Sequence, residues 1–137
     1  MKGGVKMRVW VEYDSETNAF TIRHEGVDLQ SEEDIQKWSS MVLGELAKAV
    51  PKDQKVWLLV DFDGFRIGPD MVDRYGEVAK EVRAFAKEVI RYNCEGLLTT
   101  TSVRTKAITY RYRSHICQDR QEALKLLHEL KMGNRGS

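Results

Sequence analysis

Hydrophobic and polar residues alternate over Val5–Glu12, with Val5, Met7, Val9 and Val11 on one face and Lys6, Arg8, Trp10 and Glu12 on the other. A period of two predicts a half-buried strand. Asp14-Ser15-Glu16-Thr17-Asn18 is a cluster of turn formers, and Ala19–His24 resumes the alternation through Phe20 and Ile22. The two runs predict an antiparallel hairpin. Ser31 followed by Glu32, Glu33 and Asp34 reads as a helix N-cap with acids in the first turn. Ile35, Trp38, Val42, Leu46 and Ala49 then recur at helical spacing until Pro51 ends the helix.

Val56-Trp57-Leu58-Leu59-Val60 is a short continuous apolar run closed by an Asp-x-Asp-Gly break. That pattern predicts a central strand buried on both faces. Pro69 suits the first turn of a helix, and Met71, Tyr75, Val78, Val82, Phe85 and Val89 step by three and four. This predicts a long helix to about Ile90. Leu97–Val103 is β-branched and apolar and predicts a second core strand. Residues 104–113 fit helical and strand spacing equally. Ser114–Gln118 predicts a short edge strand, and Asp119 caps a last helix with Ala123, Leu124, Leu127 and Leu130 as its apolar stripe.

The order is therefore ββαβαβ(α)βα. It predicts an α/β fold with a single mixed sheet that opens with an antiparallel hairpin and has helices packed on it. Residues 1–132 are expected to form one domain, and 133–137 a flexible tail whose Gly136-Ser137 resembles a cloning remnant. Apolar residues make up 42% and charged residues 31%, which excludes a disordered chain. A net charge of +1 provides no global field for nucleic acid or an anionic membrane. Cys94 and Cys117, set among apolar neighbours, read as free thiols rather than a disulfide framework. Met1–Val11 lacks a signal-peptide core, and no run approaches 18 apolar residues, so a cytoplasmic protein without a membrane span is expected.

The order resembles the STAS domain and its relatives in the sporulation anti-sigma-factor-antagonist-like superfamily, over about residues 7–131. Three stretches carry the resemblance: the hairpin and helix leading to Val56–Asp61, the Phe62–Gly68 loop entering the long helix, and the ending Ile116–Leu127 with its acid-capped "EAL..L" helix. The resemblance implies a regulatory or protein-interaction domain. In antagonist-type STAS domains a Ser in the loop after the central strand is phosphorylated, but here Asp61–Asp70 contains neither Ser nor Thr. The switch therefore does not carry over. The superfamily also implies an alternative, a small-molecule or lipid-binding carrier with a pocket between the long helix and the sheet.

In open α/β sheets, ligands and partners meet the loops beyond the carboxyl ends of the strands. That rule singles out Asp61, Asp63, Gly64, Phe65, Arg66, Ile67 and Asp70 as a binding or partner surface, with Phe65 and Ile67 as apolar anchors. Thr100, Ser102 and Arg104 would lie at the end of the neighbouring strand and could hold an anion. The three Asp residues would repel an anion, and as turn formers and caps they also have a purely structural reading. Asp61-x-Asp63-Gly64 echoes a calcium loop, but no Glu follows at the twelfth position, so no metal is expected. Tyr110, Arg111, Tyr112 and Arg113 interleave as in RNA-binding surfaces, yet one such stretch in a neutral domain equally suits an edge strand. Nucleic acid is therefore not expected. His24, His115 and His128 have no motif partner, and no Walker loop, GxGxxG, HExxH or GxSxG is present. No catalytic residue and no cofactor are assigned, which leaves an enzyme as the lesser expectation. The expected partner is a protein or a second copy of the chain, with a small apolar or anionic ligand as the other possibility.

Overall fold

The computed structural model describes residues 6–94 and 115–136. Strands β1 (Arg8–Asp14) and β2 (Ala19–Glu25) form the expected antiparallel hairpin, with Arg8 opposite Glu25 and Asp14 opposite Ala19. Asp14 builds the turn by accepting hydrogen bonds from the Glu16 amide and the Thr17 hydroxyl. Strand β3 (Val27–Leu29) follows, and then helix α1 (Glu32–Ala49). Ser31 and Asp34 form a reciprocal capping box at the start of α1, so two orphan amides are satisfied. The helix stops one residue before the cap Val50, which precedes Pro51.

Strand β4 (Val56–Asp61) leads through β5 (Phe65–Ile67) and a single turn of 3-10 helix (Pro69–Met71) into α2 (Val72–Arg83). Then come β6 (Ala86–Tyr92), β7 (His115–Ile116) and α3 (Arg120–Gly136). The main sheet runs β1-β2-β4-β6-β7. Only β1 is antiparallel to its neighbour; β2, β4, β6 and β7 run parallel. The fold is thus the mixed α/β sheet that the patterning predicted, with β4 at its centre.

One boundary is overturned. The long helix does not reach Ile90: it ends at Arg83, and Ala86–Tyr92 is a strand. The step Val82, Phe85, Val89 looks helical because all three face one core, although the chain reverses between them. The tight turn at Ala84 and Phe85, and the run Val89-Ile90-Arg91-Tyr92 buried on both faces, mark the change. β6 therefore takes the place beside β4 that Leu97–Val103 was expected to fill. Residues 97–103 and the undecided 104–113 lie outside the described residues.

Two cores sandwich the sheet. On one face, Val9, Ile22, Leu58, Val60 and Val89 pack against Ile35, Trp38, Val42 and Leu46 of α1 and Tyr75, Val78 and Val82 of α2. On the other, Ala19, Trp57, Leu59, Ile90 and Tyr92 pack against Ala123 and Leu127 of α3. Neither cysteine is in a disulfide: Cys117 is buried in the second core, where burial raises its thiol pKa, and Cys94 is half-buried.

Candidate functional site

The carboxyl end of β4 carries a network of polar contacts centred on Asp61. Asp61 is buried, and its two carboxylate oxygens have different partners. Oδ2 accepts from Arg23 Nη1 at 2.8 Å. Oδ1 accepts from the Asp63 amide at 2.9 Å and from Asn93 Nδ2 at 3.0 Å. One side chain thereby ties the loop after β4 to β2 and to the end of β6. The network continues outward: Arg23 Nε donates to Glu12, which also accepts from Trp10 Nε1. The hydrogen bonds from Trp10 and then Arg23 hold the Glu12 carboxyl below its ordinary value. Nearby, Arg120 of α3 donates to the Tyr92 hydroxyl at 2.8 Å. Burial pushes the Tyr92 phenol up, and this hydrogen bond draws it part of the way back.

The sequence singled out Asp61 as a loop residue, whereas the structure makes it the clamp of that loop. Replacing it with Asn keeps the shape but turns an amide donor toward Arg23 or toward the Asp63 amide. Hydrogen bonds to charged groups contribute about 1.5–3 kcal/mol, so Asp61→Asn is expected to lower stability by about 2 kcal/mol. A urea midpoint within error of wild type would refute the clamp.

On the opposite face of the same strand end, the Asp61 carbonyl accepts from His24 Nδ1 at 2.9 Å. A carbonyl can only accept, so Nδ1 carries the proton and Nε2 is the lone-pair nitrogen. His24 stacks on Phe62 at 5.6 Å and meets Phe65 edge-on at 4.9 Å. Phe65 also touches Trp38 and Tyr75, and Trp38 stacks on Tyr75 at 5.5 Å. Desolvation in this aromatic box lowers the His24 pKa to about 4, against the weaker opposing pull of Asp61.

Among the described residues, His24 Nε2 and Trp38 Nε1 have no hydrogen-bond partner. Both side chains line one small cavity of about 10 Å³, together with Phe62, Tyr75 and Arg91. That space suits about one water, and the pair presents a matched donor and acceptor for it.

The candidate residues separate by burial. Phe65 and Ile67 are 1% and 3% exposed, so they are core and not surface anchors. That expectation is overturned because Phe65–Ile67 forms β5, which pairs in parallel with β3 and turns alternate side chains inward. Asp63, Gly64, Arg66 and Asp70 are exposed. Gly64 has φ +81°, and a Cβ there would lie 2.5 Å from the His24 carbonyl oxygen. The close approach expected of this glycine is thus to the protein's own β2. Thr100, Ser102 and Arg104 lie outside the described residues.

Sequence reasoning passed over Arg23, Arg91 and Asn93, placed Trp38 only on the apolar stripe of α1, and gave His24 no partner, although His24 shares the buried phase of β2 with Ile22. The others meet through tertiary contacts alone.

No family model and no curated protein matches the chain. A solved structure does: an uncharacterised protein of the DUF3478 family with a SpoIIAA-like fold from Shewanella loihica PV-4. The two share 18% identity over 93% of this chain and 98% of that one, with a TM-score of 0.55. No helix among the described residues is long and apolar enough to cross a membrane. The hairpin, the parallel strands and this likeness agree: the chain has the SpoIIAA-like fold, in the STAS-type architecture that its element order resembles.

Proposed function

We propose that the chain is a non-enzymatic interaction domain that meets a protein partner through the loop after β4. The observation that carries this reading is the way the loop is built. Asp61 and Gly64 pin its backbone and Phe65 and Ile67 bury its apolar side, while Asp63, Arg66 and Asp70 face solvent on a fixed frame. A polar surface held without flexibility loses little entropy on binding. Recognition then rests on the arrangement of two carboxylates and one guanidinium rather than on apolar anchors or a phosphorylated Ser. Charged rims of this kind select partners and set association rates.

The alternative, a carrier of lipid or another apolar molecule, needs space between α2 and the sheet. Trp38, Phe62, Phe65 and Tyr75 fill that space down to a cavity of about 10 Å³. A drug-sized ligand occupies at least about 300 Å³, so the packing favours the interaction reading.

The test is a photo-crosslinking amino acid at position 28, exposed on β3 directly beside Arg66, used in cells that make the protein naturally. A discrete protein adduct is expected, which the added changes Asp63→Lys and Asp70→Lys abolish while the urea midpoint of the purified variant stays at the wild-type value. An adduct at twice the chain's own mass would identify the partner as a second copy. No adduct, or one indifferent to both charge reversals, would overturn the proposal.

A further inference from the structure

The opposite end of the sheet, at the amino ends of the parallel strands, carries a groove that none of the contacts above explains. It has a volume of about 520 Å³, inside the range of about 300–1,000 Å³ usual for small-molecule sites. Its aromatic wall is Tyr13 and Phe20, whose ring centroids are 4.8 Å apart, and Trp57 also contributes to its lining. Tyr13 is 54% exposed, one of the few large apolar side chains in the described residues left so open. Its hydroxyl donates to Asn18 Oδ1 at 2.8 Å, which fixes the ring at the mouth of the groove.

The charge in the groove has one sign. Lys55 and Lys87 line it, and no carboxylate does so among the described residues. Lys87 places its ammonium 5.8 Å from the Trp57 ring centroid, as does Lys131 of α3, which does not itself line the groove. Lys131 is held there by donating to the Thr17 carbonyl. The nearby carboxylate of Asp14 is engaged in the hairpin turn, accepting from Glu16 and Thr17. A flat aromatic surface next to uncompensated ammonium groups is complementary to a flat aromatic body carrying an anionic group.

We infer that this groove binds a small aromatic anion, with the ring system on Tyr13 and Phe20 and the acidic group between Lys55 and Lys87. A nucleoside monophosphate and an aromatic carboxylic acid share this chemistry. The site is independent of the loop after β4, which lies at the other end of the strands.

The probe is 8-anilinonaphthalene-1-sulfonate, followed by its fluorescence on the folded chain and by calorimetry. Saturable one-to-one binding is expected, and Lys55→Gln/Lys87→Gln should weaken it by about tenfold without moving the urea midpoint. Tyr13→Ala should weaken it as well. Competition with AMP and with 2-naphthoate separates the two sources: displacement by AMP alone assigns a nucleotide, by naphthoate alone a carboxylic acid, and by both the shared chemistry. Absence of saturable binding, affinity unchanged in the double variant, or a bound dye that neither competitor displaces would each overturn the proposal.

Discussion

Phe65→Ala is expected to lower stability by about 3–5 kcal/mol, the range for deleting a fully buried phenyl ring. The ring is 1% exposed and touches His24, Trp38, Phe62 and Tyr75, which come from β2, α1, the loop after β4 and α2. Those side chains are braced by the sheet and by one another, so the space left by the ring cannot close cheaply. Phe65→Asp should go further and leave the chain unfolded, because a carboxylate there would be desolvated without a partner. Had Phe65 been a surface anchor, both variants would have kept the fold and lost only a complex. Urea unfolding decides between the two, and a Phe65→Ala protein within about 1 kcal/mol of wild type would refute the packing described here.

The second large effect is a dependence of stability on pH centred on His24. The imidazole titrates near 6.5 in the unfolded chain and at about 4 in the folded one. Between those values the unfolded state binds more protons, so stability rises with pH across this window. Its contribution is complete above about pH 6.5 and is lost as pH falls through 4. The shift corresponds to about 3 kcal/mol between the two ends of the window. Carboxylates also titrate in acid, and for that reason the comparison is wild type against His24→Phe, which fits the aromatic box but cannot protonate. The stability difference between the two should move in favour of wild type by about 3 kcal/mol from pH 4 to pH 7.5. A difference independent of pH would sink this account, as would an imidazole proton resonance of His24 with its midpoint near 6.5.

Both effects come from residues whose roles the chain's patterning conveyed poorly. Alternation identified β2, yet nothing in Ala19–His24 says that His24 will be enclosed by aromatics from α1, β5 and the loop after β4. Phe65 was read as exposed because a ten-residue stretch between strand and helix looks like open loop. The stretch is closed instead by backbone pairing of β3 with β5, an interaction across nearly forty residues that no local period reports. Asp61 shows the same limit. Its position at the end of an apolar strand was legible, but its three partners, Arg23, Asp63 and Asn93, span β2, its own loop and the end of β6.

What the sequence determined by itself is local and periodic. The hairpin follows from two alternating runs around a turn cluster, α1 from its cap and its stripe, and β4 from five consecutive apolar residues. These elements suffice for the fold class, because each must bury one face and few arrangements bury all of them. The tertiary structure decided the rest. It ended α2 at Arg83 and made Ala86–Tyr92 a strand, since apolar residues facing one core keep a helical step even where the chain has turned back. It also decided which polar residues are clamp, core or surface, and it brought Tyr13, Lys55 and Lys87 to one groove. Burial and electrostatic environment depend on distance in space, and a single chain's spacing carries that information only within one element.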